Sequence, residues 1–171
     1  MSRDELSLHQ GDFIRDCPII VPPKDLEEGK TYDLQADIMD VIILSQSCDL
    51  ENSKTEIVLV CPFFTFFDYK ESLQPGEQKK EAVKKHFERL KQGIQPNYHL
   101  LNKDKNKGLD DYLIVDFRNV YGIHIEFLQE YVKSLENRVR LLPPYREHLS
   151  QAFARFFMRV GLPQNIPPLS L

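Results

Sequence analysis

The chain has 171 residues, of which 42% are hydrophobic and 28% are charged, and its formal net charge is −4. These values are typical of one soluble globular domain, and the net negative charge argues against a dedicated nucleic-acid-binding protein. Three cysteines without CxxC spacing argue against a disulfide framework and favour free thiols in a reducing compartment. No stretch approaches about 18 consecutive apolar residues, and the first residues lack the basic-then-apolar order of a secretory signal, so we expect a cytoplasmic protein without membrane contact.

Turn residues and hydrophobic periodicity divide the chain into strands and two helices. Residues 41–44 are all apolar, which predicts that their strand is buried on both faces. The predicted elements, in chain order, are a strand from residue 13 that continues or bends at 17–21, a polar acidic connection at 24–37, strands at 40–45 and 56–62, a helix at 75–93, strands at 98–101, 112–117, 120–125 and 138–142, and a helix at 145–160.

The first predicted helix carries little apolar surface. Pro75 stands at a favoured entry position, and Val83, Phe87 and Leu90 form one narrow apolar stripe. Lysines cover the rest of this helix. We therefore expect a basic helical insertion at residues 72–93 that lies on a barrel or sheet.

The last predicted helix, at residues 145–160, has a broad apolar face that suits docking on the sheet. Gly161 supplies a left-handed stop and Pro163 prevents continuation. The Pro-rich residues 163–171 are expected to form an extended tail or a linker. The whole pattern predicts one α+β domain over residues 1–162: a small, twisted, largely antiparallel β-barrel of about five to seven strands with a helical insertion and a C-terminal helix.

The charges are segregated along the chain. Between residues 24 and 56, nine acidic residues stand against three lysines, whereas between residues 79 and 107 nine basic residues stand against three acidic ones. Such a protein can offer one face to RNA, DNA or an acidic protein while the other face repels it. Solvated helix and loop surface is the alternative interpretation of both segments.

The order of the elements resembles the small barrels of the MazF/PemK toxin family. The resemblance covers Gly11-Asp12 before a first strand, the buried strand at 41–45, a second strand that ends in Pro62, the short strand at 98–101 and a closing helix. It implies an SH3-like, MazF-like β-barrel. In that family an Arg-Pro pair introduces the second strand and supplies the catalytic arginine of an endoribonuclease.

The chain departs from the family pattern at the catalytic positions. Asp40-Val41 stands where the Arg-Pro pair is expected, and Cys61-Pro62 stands where a strand-end hydroxyl is expected, with Thr65 shortly after it. An aspartate would repel the negative charge that builds on a phosphate during RNA cleavage. The resemblance therefore does not imply ribonuclease activity by the family's route.

Two further motifs resemble bacterial proteins found in defence settings. They are SQSCD at residues 45–49 and RVRLL at residues 138–142 with the later stretch FARFFMRVGLP at residues 153–163. A MazF-like anti-sigma factor that a CRISPR-associated Lon-type protease cuts is a protein of this kind. This resemblance implies a regulatory binding role.

A metal site is one hypothesis for the polar residues that follow the buried strand. Cys48, Asp49, Cys61 and His99 are of metal-ligand types, and the two cysteines lie at the ends of adjacent predicted strands. A zinc site requires about four ligands, usually including two that are close together in the sequence, and these residues include no such pair. We therefore expect no metal and no cofactor.

A cysteine nucleophile is a second hypothesis. Cys48 has His99 or His124 as a candidate base and Asp49 or Asp116 as a candidate orienting group, but the surrounding sequence offers no oxyanion nest. The alternative is a structural strand-end motif formed by Gln46, Cys48 and Asp49.

RNA cleavage by substitute residues is a third hypothesis, in which basic side chains stabilise charge and other groups act as acid and base. The residues that would carry it are Thr65, His99, Arg118 and Arg138, with Arg140 as a further cation.

Regulatory binding is the function that the sequence favours, with endoribonuclease activity as the alternative. The missing arginine, the acidic segment beside a basic helix and the Pro-rich tail support it. The expected partner is a basic protein that itself binds nucleic acid. RNA is the alternative partner, and the sequence does not decide whether the chain forms a homodimer. The residues predicted to contact the partner are Asp25, Glu27, Glu28, Asp33, Asp37, Asp40, Lys84 and Lys85.

Overall fold

The structure, a computed structural model, describes residues 7–52, 54–135 and 138–158. Within these ranges the chain folds into six strands and five α-helices, which confirms the predicted α+β class. The strands are β1 (Phe13–Ile20), β2 (Ala36–Ile43), β3 (Ile57–Thr65), β4 (Tyr98–Leu101), β5 (Leu113–Asp116) and β6 (Tyr121–His124). The helices are α1 (Ser47–Glu51), α2 (Phe66–Ser72), α3 (Lys80–Lys91), α4 (Ile125–Lys133) and α5 (Tyr145–Phe157).

The long strand β3 lies at the centre of the sheet. The strand order is β1-β2-β3-β5-β4 with antiparallel pairing throughout, and β6 also pairs with β3. Thr65 pairs with Leu113 of β5, and Val60 pairs with Tyr121 of β6, so β5 and β6 follow each other along β3. Within the described residues β1 and β4 do not pair with each other, and the sheet is open.

The two faces of the sheet are covered by different helices. Because successive side chains of a strand point to opposite faces, neighbours in β5 join different clusters. Val115 packs in a cluster with Leu149 of α5, whereas Ile114 packs with Tyr69 of α2 and Leu90 of α3. The wide end of the sheet, made by β1, β2, β3 and β6, is covered by α4.

The turn that precedes β1 is built around the carboxylate of Asp12, which is fully buried. Its oxygens accept a hydrogen bond from the His9 N–H at 2.9 Å and form ion pairs with the Nε atoms of Arg140 at 2.5 Å and Arg138 at 3.3 Å. Both guanidinium groups also donate to the Ser7 carbonyl, that of Arg138 at 2.6 Å and that of Arg140 at 2.9 Å. A buried carboxylate needs such partners, so this cluster fixes the segment before α5 against the start of β1.

Gly11 has a special conformation in this turn. Its φ of +83° is in the left-handed region, and a Cβ there would lie 2.9 Å from the Leu141 Cβ. The Gly11 N–H donates to the Ile43 carbonyl of β2 and its carbonyl accepts from the Leu141 N–H. The turn that the sequence predicted at Gly11 therefore joins β2 to the segment before α5.

The second predicted strand is longer than its sequence pattern indicated. β3 continues past Pro62 because Phe63 and Thr65 pair with Val115 and Leu113 of β5. The aromatic run that follows Pro62 is divided, its first half ending β3 and its second half beginning α2. The first buried strand is also longer, since β2 begins at residue 36.

The strand predicted at residues 120–125 is confirmed as β6, one residue shorter at each end, but the helix that follows it was not predicted. β6 ends at His124, whose ring accepts a hydrogen bond from the Glu126 N–H at 3.4 Å, and α4 begins at the next residue. Leu128 and Val132, one helical turn apart, are both buried. Burial of this helical stripe outweighs the short alternating pattern.

Two other boundaries differ from their predictions. The strand expected at residues 138–142 is reduced to one isolated bridge between Arg140 and Asp12, because the facing chain turns away at Gly11, whose φ is +83°. The basic helix begins at Lys80 and not at residue 75. The last helix ends at Phe157 and not at residue 160. The predicted helix stop at Gly161 and the tail at 163–171 lie outside the described residues.

Across the parts of the chain that the structure describes, no helix combines the length and the apolar character that crossing a bilayer requires.

The Asp12 cluster gives a stability prediction. Asp12→Ala would leave two partly buried guanidinium groups without their buried carboxylate, so the free energy of unfolding should fall by roughly 3–5 kcal/mol. Urea denaturation followed by circular dichroism measures it. The exposed Asp110→Ala is the control and should change the value by less than about 0.5 kcal/mol. A fall of under about 1 kcal/mol for Asp12→Ala would contradict the role given to this cluster.

Candidate interaction site

The four residues considered for substitute RNA cleavage serve different structural roles. Thr65 is the N-cap of α2: its hydroxyl donates to the Asp68 carboxylate at 2.5 Å and accepts from the Asp68 N–H at 3.0 Å. Arg138 is part of the buried Asp12 cluster. Both side chains are therefore used by the fold itself.

Arg118 is held by a carboxylate. Its Nε and Nη2 atoms donate to the Asp116 carboxylate at 2.9 and 2.7 Å, and its guanidinium lies 4.9 Å from the Tyr98 ring centre. Asp116 is buried, and its hydrogen bonds raise the pKa of Arg118 above its ordinary value. A cation neutralised in this way provides little stabilisation for a developing phosphate charge.

His99 lies near the edge of the sheet and stacks on Phe117, with ring centres 6.3 Å apart. Burial lowers the pKa of His99 to about 4, and the charge of His148 adds to this effect. The imidazole is therefore neutral near pH 7. No described contact joins it to Thr65, Arg118 or Arg138.

The predicted strand-end motif forms a helix. Residues 47–51 make α1, with Gln46 as its N-cap and Asp49 in its first turn. Cys48 is exposed, and its thiol lies 3.7 Å from both the Gln46 amide oxygen and a carboxylate oxygen of Asp49. The backbone N–H groups of Asp49 and Leu50 both donate to the Gln46 carbonyl, so the motif reverses the chain after β2.

The other two cysteines are core residues. Burial raises the pKa of Cys17 to about 11 and that of Cys61 to about 12, with the charge of Asp116 contributing at Cys61. Within the described residues no three side chains of His, Cys, Asp or Glu are grouped as a metal ion would require.

Asp40, predicted to contact a partner, is occupied within the chain. Its carboxylate pairs with the Arg15 guanidinium and accepts from the Asp16 N–H at 3.0 Å. Asp16 has a φ of +50°, at a break in the register between β1 and β2, and the Tyr131 hydroxyl donates to its carbonyl at 2.7 Å. Asp40 thus stabilises a β-bulge, and the sequence showed no sign of it.

The other predicted acidic contacts lie together in what we call the acidic segment, residues 20–38, which comprises the outer ends of β1 and β2 and their connection. The connection has no helix or strand and is tied by Tyr32, whose hydroxyl donates to the Asp25 carbonyl and accepts from the Glu27 N–H. Five carboxylates of this segment are exposed: Asp25, Glu27, Glu28, Asp33 and Asp37.

Apolar side chains are also exposed in the acidic segment. Monomeric proteins seldom expose several large apolar side chains in one short segment, and apolar surface rimmed by polar groups marks interaction sites. The exposed apolar residues are Ile20 (61%), Val21 (40%), Leu26 (57%), Leu34 (53%) and Ile38 (62%). The sequence drew attention to the charges here, while only the structure shows that the apolar residues are outside the core.

The basic helix α3 exposes Lys84 and Lys85, as its narrow apolar stripe predicted. Leu90 is buried, and the Phe87 ring packs 4.8 Å from Tyr112 and 5.1 Å from Phe66. The acidic segment and α3 are therefore two separate charged surfaces of opposite sign.

A groove of about 620 Å³, here called the β4 groove, lies between α3 and α5 beside β4. Lys91 of α3, Tyr98 and His99 of β4, and His148 and Arg155 of α5 are among its lining residues. The sequence did not predict it, because the lining comes from segments about fifty residues apart that only the packing of α5 brings together.

No protein-family model matches the chain, and a comparison with curated proteins also gives no match.

Thiol reactivity tests the placement of the cysteines. Because a thiolate is the reactive species, we expect rapid reaction of one thiol per chain, Cys48, with a disulfide reagent at about pH 8. Cys17 and Cys61 should react only after unfolding in denaturant. Cys48→Ser should remove the rapid phase, and a second rapid thiol in that variant would contradict the buried positions of the other two.

The lowered pKa of His99 makes stability depend on pH. In the unfolded chain this group has its ordinary pKa of 6.5, against about 4 when folded, so the unfolded state binds more protons between these values. Stability contributed here is present above pH 6.5 and is lost as the pH falls towards 4. His99→Gln should therefore reduce the slope of unfolding free energy against pH in this window, whereas Gln35→Asn, an exposed change that alters no titratable group, should keep the wild-type slope. Equal slopes for both variants would refute the assignment.

Proposed function

We propose that the protein is a non-catalytic, MazF-like regulatory binding module that sequesters or bridges a basic protein partner in a bacterial toxin–antitoxin or phage-defence pathway. The acidic segment is the observation that carries this proposal. Its exposed carboxylates attract a basic surface over a distance, and its exposed apolar side chains can be buried on contact. A partner that itself binds nucleic acid has the required positive surface.

The roles of the substitute catalytic residues support binding over RNA cleavage. Thr65 caps a helix, Arg118 is paired with Asp116 and Arg138 is paired with Asp12. An endoribonuclease needs an accessible cation at the developing charge, and these two arginines already neutralise carboxylates of the fold.

A MazF-like, SH3-like barrel belongs to the proposal as well. The antiparallel pairing throughout the sheet and the pairing of the long strand β3 with β2, β5 and β6 support it, since small barrels of this kind are largely antiparallel with long strands shared between neighbours. The defence setting, with an anti-sigma factor as its most specific form, rests on the resemblance of residues 45–49, 138–142 and 153–163.

Removal of the acidic charges tests the proposal. In a pull-down from the native host, the wild-type protein should retain a basic protein at low salt and release it as salt rises from about 0.1 to 1 M, because screening weakens exposed charge contacts. Retention should be lost in the variant D25N/E27Q/E28Q/D33N/D37N. It should persist in a control that removes five exposed carboxylates elsewhere, E71Q/E81Q/D110N/E126Q/E130Q.

Two results would contradict the proposal. The first is equal loss of the partner in both variants or retention that is indifferent to salt. The second is RNA cleavage by the purified protein that His99→Ala abolishes, because this would favour the ribonuclease alternative.

A further inference from the structure

The outer edge of β4 is the starting point of a second binding site. Within the described residues β4 pairs along one edge with β5, and no strand pairs with its other edge. An unpaired edge presents a row of main-chain N–H and C=O groups that can accept another strand. Proteins commonly cover such an edge, yet here a groove runs beside it.

The register shows which residue offers its main chain to the groove. The Asn97 carbonyl, just before β4, accepts a hydrogen bond from the Phe117 N–H, just after β5. On the other side of β5, the Tyr112 carbonyl accepts from the Phe66 N–H that follows β3. Because main-chain groups of alternate residues point to the same neighbouring strand, the first bond places the main chain of His99 towards β5. The N–H and C=O of Leu100 therefore point to the open edge.

The walls of the groove are basic and partly aromatic. Lys91 and Arg155 are exposed cations from opposite walls, and His148 lies on the same wall as Arg155. The residues described as lining the groove include no aspartate or glutamate, in a protein whose net charge is −4. An anionic ligand fits this groove better than a neutral or cationic one.

We propose that the β4 groove binds an extended acidic segment of a protein partner, which adds to β4 as a further strand. The Leu100 main chain supplies hydrogen bonds to the peptide backbone, and alternate side chains of the peptide point to the two walls. Carboxylates of the bound segment meet Lys91 on one wall and Arg155 on the other.

A peptide suits the groove better than RNA does. Single-stranded RNA is held by stacking on accessible ring faces and by cations along the phosphates. Here the Arg118 guanidinium lies 4.9 Å from the centre of the Tyr98 ring. The Tyr112 ring meets Phe87 in a T-shaped contact and has the Lys103 ammonium 5.3 Å from its centre. The alternating donor and acceptor of an open strand edge match a peptide backbone, which repeats in the same way.

This site goes beyond the function proposed above. The acidic segment attracts a basic surface, whereas the β4 groove attracts an acidic one, and the two lie on different elements. A protein with both surfaces can bridge two partners or two regions of one partner.

A synthetic peptide of about eight residues with the repeat Glu-Glu-Val-Val, labelled with fluorescein, is the probe. Because neighbouring side chains of a strand point to opposite faces, this repeat presents carboxylates to both walls. Two further peptides carry N-methyl groups on alternate backbone amides, in the two complementary sets. A strand bound to β4 directs one set of amides at the protein and the other at solvent. One methylated peptide should bind at least about tenfold more weakly than the parent, and the other within about twofold. In nuclear magnetic resonance spectra the Leu100 amide should shift on addition of the parent peptide.

Variants of the walls test the charges. Lys91→Glu and Arg155→Glu should each weaken binding of the parent peptide by about tenfold or more. Lys54→Glu and Lys79→Glu make the same charge change at exposed positions outside the groove and should change affinity by less than about twofold. The variant of the acidic segment, D25N/E27Q/E28Q/D33N/D37N, should bind the peptide as the wild type does, so failure here is separate from failure of the proposed function.

The proposal is overturned by any of three outcomes. The parent peptide does not bind at about 1 mM, both methylated peptides lose affinity equally, or the lysine controls weaken binding as much as the groove variants do. A labelled oligouridine that binds the groove more tightly than the peptide, with the same dependence on Lys91 and Arg155, would instead assign the site to RNA.

Discussion

The buried carboxylate of Asp12 is the interaction on which the arrangement of the molecule depends. Asp12 binds Arg138 and Arg140, which lie on the segment leading into α5, and its neighbour Gly11 hydrogen-bonds to Ile43 of β2. Three regions distant in sequence are thereby joined at one point. Since a buried charge without partners is very costly, the cluster makes the position of this segment specific in a way that apolar packing alone does not. The position of α5 on the sheet follows from it.

The placement of α5 determines what the narrow end of the sheet can do. Leu149 of α5 is fully buried against the face that carries Val115, while α2 and α3 cover the opposite face around Ile114. Within the described residues no strand pairs with the outer edge of β4. The β4 groove is the space left between the two layers, and its charge comes from the exposed sides of helices whose apolar sides are in the core.

The charges of the chain have two different uses. The carboxylates of Asp12, Asp116 and Asp40 form ion pairs within the fold, with Arg140, Arg118 and Arg15 respectively. The carboxylates of the acidic segment and the cations of the β4 groove remain at the surface, with opposite sign. This division supports a binding module with two polar surfaces, since the arginines available for catalysis stabilise the fold while the exposed groups are suited to contact.

The sequence by itself determined the α+β class, β4 at residues 98–101, the buried strand around residues 41–44, and a basic helix with one apolar stripe, because these depend on local periodicity. Only the tertiary structure decided the rest. It extended β3 through pairing with β5, made a helix of residues 125–133, and turned the expected last strand into an ion cluster, because pairing and burial outweigh weak local preferences. The bulge held by Asp40 and the β4 groove arise from residues far apart in the chain, whose proximity no local pattern encodes.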